Sequence, residues 1–274
     1  MPDDPKGMAA PPAVVTAGLT RRFDELVAVD HLDLTIAHGT VFGLLGSNGA
    51  GKSTTLKMLT TLLPPTSGTA QVAGFDVVRQ PREVRRRIGY VPQIVSADSA
   101  LTAYENLVLF AKLYGIPRAE RKTRIAQALD FMELGAVGGA LVKTYSGGMI
   151  RRLEIAQAML HRPAVLFLDE PTVGLDPVAR RAVWGHLSEL RSELGTSVLL
   201  TTHDMEEADT LCDQLAIMHG GKVVAAGTPT QLKAPLGENA TMDDVFIQHT
   251  GGTLKEGGSF RDAARTRSTA HRLG

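Results

Sequence analysis

The sequence predicts an α/β protein whose core is a buried, mostly parallel β-sheet. Short apolar segments bounded by turn residues predict five strands, at residues 13–19, 40–45, 164–168, 197–201 and 214–218. The second, third and fourth of these segments are each followed by a polar or glycine-rich turn and then by a helical pattern, as in a doubly covered parallel sheet. In such proteins the functional residues lie just past the carboxyl ends of the strands.

A helical insert is predicted between the second and third strands. Apolar residues of the segment 102–134 recur at helical spacing, and Thr102 with Glu105 forms a capping box at its start. Pro117 divides the insert, because proline cannot continue a helix from the preceding residue. The sequence therefore predicts two helices here.

The overall composition is that of a globular protein with a full core. Of the 274 residues, 43% are hydrophobic, and 29 basic residues balance 29 acidic ones. This balance gives no electrostatic reason to expect a nucleic acid as partner. The single cysteine, Cys212, excludes an internal disulfide, and we expect it to be a small packing residue on a helix.

Neither end of the chain has the pattern of a folded element. Residues 1–12 are rich in proline and aspartate and predict a disordered tail. Residues 251–274 have no apolar periodicity and contain several arginines, which favours a solvated tail over a binding segment. No apolar run approaches the ~18 residues that cross a bilayer, so we expect any membrane work to need another chain.

A glycine-rich loop follows the second predicted strand and precedes a helical pattern at 54–63. Glycines at three positions of this loop let backbone N–H groups approach phosphate oxygens, and the helix N-terminus adds a favourable dipole. Lys52 can then reach the β- and γ-phosphates of a nucleotide, and the Ser53 hydroxyl can ligate Mg²⁺. The predicted nucleotide-binding loop consists of Gly46, Ser47, Asn48, Gly49, Ala50, Gly51, Lys52, Ser53 and Thr54.

Two adjacent acids, Asp169 and Glu170, follow the third predicted strand. Asp169 suits the ligand shell of the magnesium ion, and Glu170 can orient and deprotonate the water that attacks the γ-phosphate. His203 follows the fourth predicted strand in the same way, just before a helix capped by Asp204. A lone histidine is usually structural, but this one could also hydrogen-bond the γ-phosphate.

A second glycine-softened helix start lies at Ser146, Gly147 and Gly148, and the helix runs from about Met149 until Pro163 stops it. Backbone N–H groups at a helix start can bind an anion. As an isolated motif, however, this segment is more typical of a plain helix cap, and nothing in the sequence alone brings it to the nucleotide.

The order of these motifs resembles the nucleotide-binding subunit of ABC transporters over residues 14–250. The matching motifs are the loop 46–54 (Walker A), Gln93 in Gly-Tyr-Val-Pro-Gln (Q-loop), Ser146, Gly147 and Gly148 (signature), Asp169 and Glu170 (Walker B), Asp176 in Gly-Leu-Asp-Pro (D-loop) and His203 (switch histidine). Within the signature, Tyr145 replaces the usual leucine and Met149 the usual glutamine. This variant resembles drug-resistance exporters of the daunorubicin type, which belong to the type-2 ABC class.

The resemblance implies a fold and a set of residue roles. The fold is a P-loop NTPase core at residues 13–250, with an N-terminal antiparallel β subdomain and a helical subdomain at about 94–162 that contains the signature. Phe23 would stack on adenine, although from the sequence alone it is more typical of a core residue. Gln93 would join Ser53 and Asp169 as a magnesium ligand.

The resemblance also implies partners. Two such subunits pack head to tail around two Mg-ATP molecules, so Ser146 and Gly148 of one would bind the γ-phosphate held by Lys52 of the other. A separate integral membrane permease would complete the transporter, with this chain on the cytoplasmic face of the plasma membrane. We expect an exporter ATPase, while a soluble ABC ATPase acting on ribosomes or DNA, or an importer ATPase, stays open as an alternative. The cargo cannot be inferred from this chain.

Overall fold

The computed structural model describes residues 11–251. The tails predicted at 1–12 and 251–274 lie almost wholly outside these residues. Ten strands occur in the described part: Val14–Phe23 (β1), Leu26–Ile36 (β2), Val41–Leu45 (β3), Ser67–Val72 (β4), Phe75–Asp76 (β5), Ile88–Val91 (β6), Val165–Asp169 (β7), Ser197–Thr202 (β8), Gln214–His219 (β9) and Lys222–Gly227 (β10).

Nine α-helices cover or connect these strands within the described residues. They are Lys52–Leu59 (α1), Pro81–Arg87 (α2), Ala103–Leu113 (α3), Arg118–Phe131 (α4), Gly147–Met159 (α5), Pro177–Leu194 (α6), Met205–Leu211 (α7), Pro229–Lys233 (α8) and Met242–Thr250 (α9). Short 3-10 turns lie at Gly135–Val137, Val142–Thr144 and Ala234–Leu236.

The strands form two sheets. A four-stranded antiparallel sheet has the order β2-β1-β4-β5, and a six-stranded sheet has the order β10-β9-β3-β8-β7-β6. All neighbours in the second sheet run parallel except β9 and β10. The predicted α/β fold with a mostly parallel sheet and an N-terminal antiparallel sheet is therefore confirmed.

The central strands β3, β8 and β7 of the six-stranded sheet are buried on both faces. In β7, Leu166 and Leu168 belong to one apolar cluster, while Val165 and Phe167 belong to the other. This alternation follows from the two-residue period of a strand. One face packs against helices of the insert, and the other packs against α1 and the antiparallel sheet. The carboxyl ends of β3, β7 and β8 are thus held at one edge of a rigid core.

The helical insert has the predicted form. Helices α3 and α4 are separated by residues 114–117, and both hydrogen bonds of the capping box between Thr102 and Glu105 are present. Helix α5 begins at Gly147, two residues before the predicted start.

Helix α1 is shorter than predicted. It begins at Lys52 and ends at Leu59, whereas the pattern predicted a helix over 54–63. Thr61 has a φ of 64°, and Pro64 follows soon after. Because proline disfavours helical backbone in the residue before it, the chain leaves the helix early. Cys212 is buried as expected, but it lies directly after α7 rather than within a helix.

Candidate active site

The glycine-rich loop connects β3 to α1 at the edge where the parallel strands end. Gly46 N–H donates to the carbonyl of Thr202 at 3.2 Å, which ties the loop to the end of β8. Gly51 has a φ of 104°, and a Cβ there would lie 2.5 Å from the carbonyl oxygen of Ala28. Only glycine meets both conditions, so the loop keeps its backbone N–H groups free of side-chain obstruction.

Lys52 lies almost fully buried at the start of α1. Its Nζ donates to the carbonyl oxygens of Gly46 at 2.7 Å and Ser47 at 3.1 Å, and it lies 3.4 Å from Oε1 of Glu170. Burial lowers the pKa of this ammonium group, whereas the charge of Glu170 opposes that shift. The loop thus holds one cation where phosphate oxygens would meet its N–H groups.

A hydroxyl and a carboxylate meet at the end of β7. Ser53 Oγ donates to Asp169 Oδ1 at 2.9 Å, and Thr201 Oγ1 donates to the same oxygen at 2.6 Å. Thr201 is paired with Asp169 in the register of β7 and β8. The sheet therefore fixes the Asp169 carboxylate beside the Ser53 hydroxyl.

The donor set at this point fits magnesium. Mg²⁺ prefers oxygen ligands and is usually held by one or two carboxylates together with waters and substrate phosphates. Ser53 and Asp169 supply two such oxygens. Among residues 11–251, no group of three or more histidine, cysteine, aspartate or glutamate side chains could hold a metal ion. Beyond the two oxygens of Ser53 and Asp169, waters and substrate phosphates would supply the rest of the shell of a bound Mg²⁺.

Glu170 is the centre of the polar contacts in the site. Its Oε2 lies 3.2 Å from His203 Nδ1 and accepts a hydrogen bond from Gln93 Nε2 at 3.4 Å, while Oε1 faces Lys52. The hydrogen bond with His203, followed by the charge of Lys52, lowers the pKa of this carboxyl against the effect of burial. Glu170 is thus held as a carboxylate.

The backbone of Glu170 is strained. Its φ is 49°, in the left-handed region that costs a non-glycine residue about 1–2 kcal/mol. Its N–H donates to Thr201 Oγ1 at 2.9 Å and also contacts the Thr201 carbonyl. These contacts hold the sharp turn that brings the side chain back toward the glycine-rich loop.

The glycine-rich loop, Gln93 and Glu170 line one cleft of about 690 Å³, which also includes Phe23. Phe23 is 40% exposed, so the core position suggested by the sequence alone is wrong. The Arg21 guanidinium lies 4.5 Å from the centroid of its ring, and the ring, as part of the cleft lining, offers an aromatic surface to a flat ligand.

The signature residues lie outside this cleft. Ser146 caps α5 and accepts a hydrogen bond from the N–H of Met149 at 3.3 Å. Asp176 caps α6 in the same manner, accepting from two backbone N–H groups at 2.9 Å. Neither side chain lines the cleft within the described chain. Ser146 and Gly147 are exposed, whereas Gly148 is buried where a Cβ would lie 2.6 Å from that of Ala179.

Comparison with known proteins agrees with this geometry. The sequence profile of the ABC transporter family matches residues 29–173, more than half of the 274 residues. The chain belongs to the ABC transporter family. The ATP-binding subunits of this family hydrolyse ATP, and this chain is an ATPase.

The relatives include ABC ATPases whose names refer to resistance and export. The chain is 49% identical over 227 residues to the daunorubicin/doxorubicin resistance ATP-binding protein DrrA of Streptomyces peucetius, covering 83% of this chain and 68% of that protein. It is 42% identical over 226 residues to the Nod factor export ATP-binding protein I of Ralstonia nicotianae, covering 82% and 70%. The sequence resemblance to the daunorubicin type is confirmed.

A similar solved structure is the dimeric post-hydrolysis state of the ATP-binding cassette MJ0796 bound to ADP and Pi. The TM-score is 0.70 at 26% sequence identity, covering 78% of this chain and 98% of that one. The ABC fold assignment is thus supported by structure as well as by sequence. In the part of the chain that the structure describes, no helix combines the length and apolar character required to span a bilayer.

Sequence reasoning missed two residues that organise this ABC ATPase site. Thr201 supports both Asp169 and Glu170, but only strand register places it opposite them. Glu207 is buried, and its Oε1 accepts from Thr172 Oγ1 at 2.8 Å and Trp184 Nε1 at 2.9 Å. Burial raises the pKa of the Glu207 carboxyl. Its position in the chain shows only an acid in the first turn of α7, which is common at helix starts.

Proposed function

We propose that this chain is the ATP-hydrolysing subunit of an exporter, with Glu170 as the general base. The observation that supports this most is the position of the Glu170 carboxylate. It lies within 3.4 Å of Lys52, Gln93 and His203, directly after the carboxylate that meets Ser53. A base, a phosphate-binding cation and a hydroxyl–carboxylate pair thus share one edge of the sheet.

Separate residues bind the phosphates and the metal in the proposed phosphoryl transfer. Lys52 exchanges the carbonyl oxygens of Gly46 and Ser47 for the β- and γ-phosphate oxygens of ATP. Bound Mg²⁺ would neutralise developing charge on the phosphates. Ser53, Asp169 and Gln93 would hold it.

Glu170 orients the attacking water and accepts its proton. Its lowered pKa keeps it ionised at neutral pH, so the base is ready without a prior proton loss. His203 holds this carboxylate before reaction and hydrogen-bonds the γ-phosphate when ATP is bound. Phe23 stacks on the adenine at the far end of the cleft.

A second copy of the chain completes each site. The exposed start of α5 at Ser146 and Gly147 leaves backbone N–H groups facing outward, which suits an anion held by another subunit. Asp176 lies on the same proposed contact surface, and Gly148, which is buried against Ala179, would contribute only its backbone N–H. In a head-to-tail dimer, ATP binding closes the two subunits and hydrolysis reopens them. The solved relative is a dimer bound to ADP and Pi, which supports the proposal that this chain dimerises.

An integral membrane permease is the proposed partner that uses this motion. Ile94 and Val95, directly after Gln93, are 82% and 56% exposed, which suits contact with an apolar segment of another protein. The chain would act at the cytoplasmic face of the plasma membrane and bind no nucleic acid. The names of the relatives, which refer to daunorubicin/doxorubicin resistance and to Nod factor export, favour export over import.

The test uses the chain with a permease of about six hydrophobic spans, encoded by a neighbouring gene. We expect the ATPase to sediment with membranes only when the permease is co-expressed. Membrane vesicles containing both should then transport members of a substrate panel in an ATP-dependent manner, outward from the cytoplasmic side. Sedimentation with ribosomes in place of membranes would favour the soluble ABC ATPase, and inward transport would favour an importer.

A further inference from the structure

Helix α5 presents a buried polar face to the segment that contains Gln93. Arg151, Glu154 and Gln157 recur every three residues along the helix, and each is no more than 6% exposed. Side chains at this spacing lie on one face of a helix. Such residues are almost never buried unless they are paired.

The first two side chains hold the backbone of the segment 92–96. Arg151 donates from Nη1 to the Pro92 carbonyl at 2.9 Å and from Nη2 to the Gln93 carbonyl at 3.3 Å. Glu154 Oε1 accepts from both the N–H and the hydroxyl of Ser96. Hydrogen bonds from α5 therefore hold the backbone of this segment on both sides of the exposed residues Ile94 and Val95.

The same hydrogen-bond network continues into α3. Gln157 Nε2 donates to Asn106 Oδ1 at 3.1 Å, and Asn106 holds Asp98 through both its N–H and its carbonyl. All three polar side chains of α5 thus act on one continuous stretch, residues 92–98. This stretch is thus anchored to α5 both directly and through Asn106 of α3.

The two charges of this face contact each other. Arg151 Nη1 lies 3.1 Å from Glu154 Oε2, and burial lowers the pKa of the arginine while the charge of Glu154 opposes that shift. A buried ion pair is a poor source of stability, since apolar side chains of similar volume often stabilise a core as well or better. What the pair supplies here is directed hydrogen bonding to chosen backbone atoms.

We infer that Arg151 and Glu154 are positioning residues for hydrolysis. They fix the backbone at Gln93 and thereby aim its amide at Glu170, 3.4 Å away. This inference rests on the proposed role of Gln93 in catalysis.

A double-mutant cycle on kcat tests the inference. Arg151→Met should lower kcat about tenfold, the lower end of losses for residues that orient a site from outside it. The dissociation constant of ATP should stay unchanged, since neither residue lines the cleft. If Arg151 acts through Gln93, the variant with both Arg151→Met and Gln93→Ala should lose no more kcat than Gln93→Ala alone.

The adjacent arginine supplies the matched control. Arg152 donates to the Met132 carbonyl and to Glu133 at 3.0 Å, away from the segment 92–98. In the Arg152→Met background, Gln93→Ala should lower kcat by the same factor as it does in the parent. Ser96→Ala removes one hydrogen bond to Glu154 and serves in the same cycle if Arg151→Met does not fold.

The possible outcomes distinguish failure of the positioning role from failure of the proposed function. Losses that multiply in the variant combining Gln93→Ala with either Arg151→Met or Ser96→Ala would overturn the positioning role and leave the proposed function intact. Parental kcat for Gln93→Ala would instead remove the proposed role of Gln93, and the inference would fall with it. Sub-additive losses in the cycle, absent in the Arg152→Met control, are the expected result.

Discussion

His203 Nδ1 lies 3.2 Å from Glu170 Oε2, and the pKa values of the two groups move in opposite directions. The hydrogen bond with Glu170 raises the pKa of the His203 imidazole above 6.5, and the same contact lowers that of Glu170 below 4.5. These shifts describe one ion pair between the ends of β7 and β8. Glu170, the proposed general base, is therefore paired with His203, the proposed ligand of the γ-phosphate.

This pair makes stability depend on pH in a defined window. The raised pKa of His203 contributes stability that is complete below about pH 6.5 and is lost as pH rises through the folded-state value. The lowered pKa of Glu170 contributes stability above about pH 4.5, which is lost as pH falls through its folded-state value. The contribution is thus largest between these values.

We predict that His203→Gln lowers the free energy of unfolding more at pH 5.5 than at pH 8.5. Urea denaturation at both pH values measures this, and the effect is modest because the His203 side chain is 48% exposed. His219→Gln, at the exposed end of β9, serves as the control for replacing a histidine by glutamine. An equal loss at both pH values for His203→Gln would contradict the ion pair.

Ser53→Ala should raise the Mg²⁺ concentration needed for half-maximal ATPase activity by at least about tenfold, as for other residues that support a metal site. The reason is the loss of the hydroxyl that meets Asp169 at 2.9 Å. A Mg²⁺ titration at fixed ATP measures the shift. Ser188→Ala, whose hydroxyl bonds within α6, is the control. An unchanged titration for Ser53→Ala would exclude this hydroxyl as a ligand.

Phe23→Ala should weaken ATP binding by about 1–3 kcal/mol, roughly 5- to 150-fold in Kd, because a nucleobase loses its stacking partner. Phe23→Tyr should bind as the parent does. Phe75→Ala is a matched control, since Phe75 also packs under an arginine but lies outside the cleft. Equal affinities for Phe23→Ala and the parent in a fluorescent-nucleotide titration would place adenine elsewhere.

Ser146→Ala in one subunit of a mixed dimer should impair the site built on the other subunit's Lys52. Two mixed dimers are compared by ATPase rate. One contains Ser146→Ala and Lys52→Ala in the same subunit, and the other contains them in opposite subunits. When both changes lie in one subunit, they affect different sites, so activity should be nearly lost. When they lie in opposite subunits, they share one site and the second site stays active. The reverse pattern would contradict a shared site.

Much of the site was predictable because its motifs are local. The glycine-rich loop, Asp169 and Glu170 each follow a strand that the apolar pattern identifies, and the parallel sheet brings those strand ends together. The capping box of α3 was equally readable, since its two residues lie three positions apart. In these cases a short sequence contains the whole physical cause.

Other features depended on long-range packing. Strand β2 alternates exposed and buried residues, but its polar content hid it from an apolar-run criterion. Thr201 gains its role from register with β7, and Arg151 from the approach of α5 to the segment 92–96. No local pattern encodes these distances. The proposed contact between Ser146 and a nucleotide held by a partner subunit also lies outside what a single chain can display.

ATP turnover by Glu170→Gln shows whether Glu170 is the general base. The amide keeps the size of the side chain but cannot accept the proton, so kcat should fall by about 10²–10⁴-fold. ATP should remain bound, and size-exclusion chromatography should show a trapped dimer. Glu206→Gln, an exposed acid in the first turn of α7, should hydrolyse ATP as the parent does. ATP turnover at the parental rate by Glu170→Gln would show that Glu170 is not the general base.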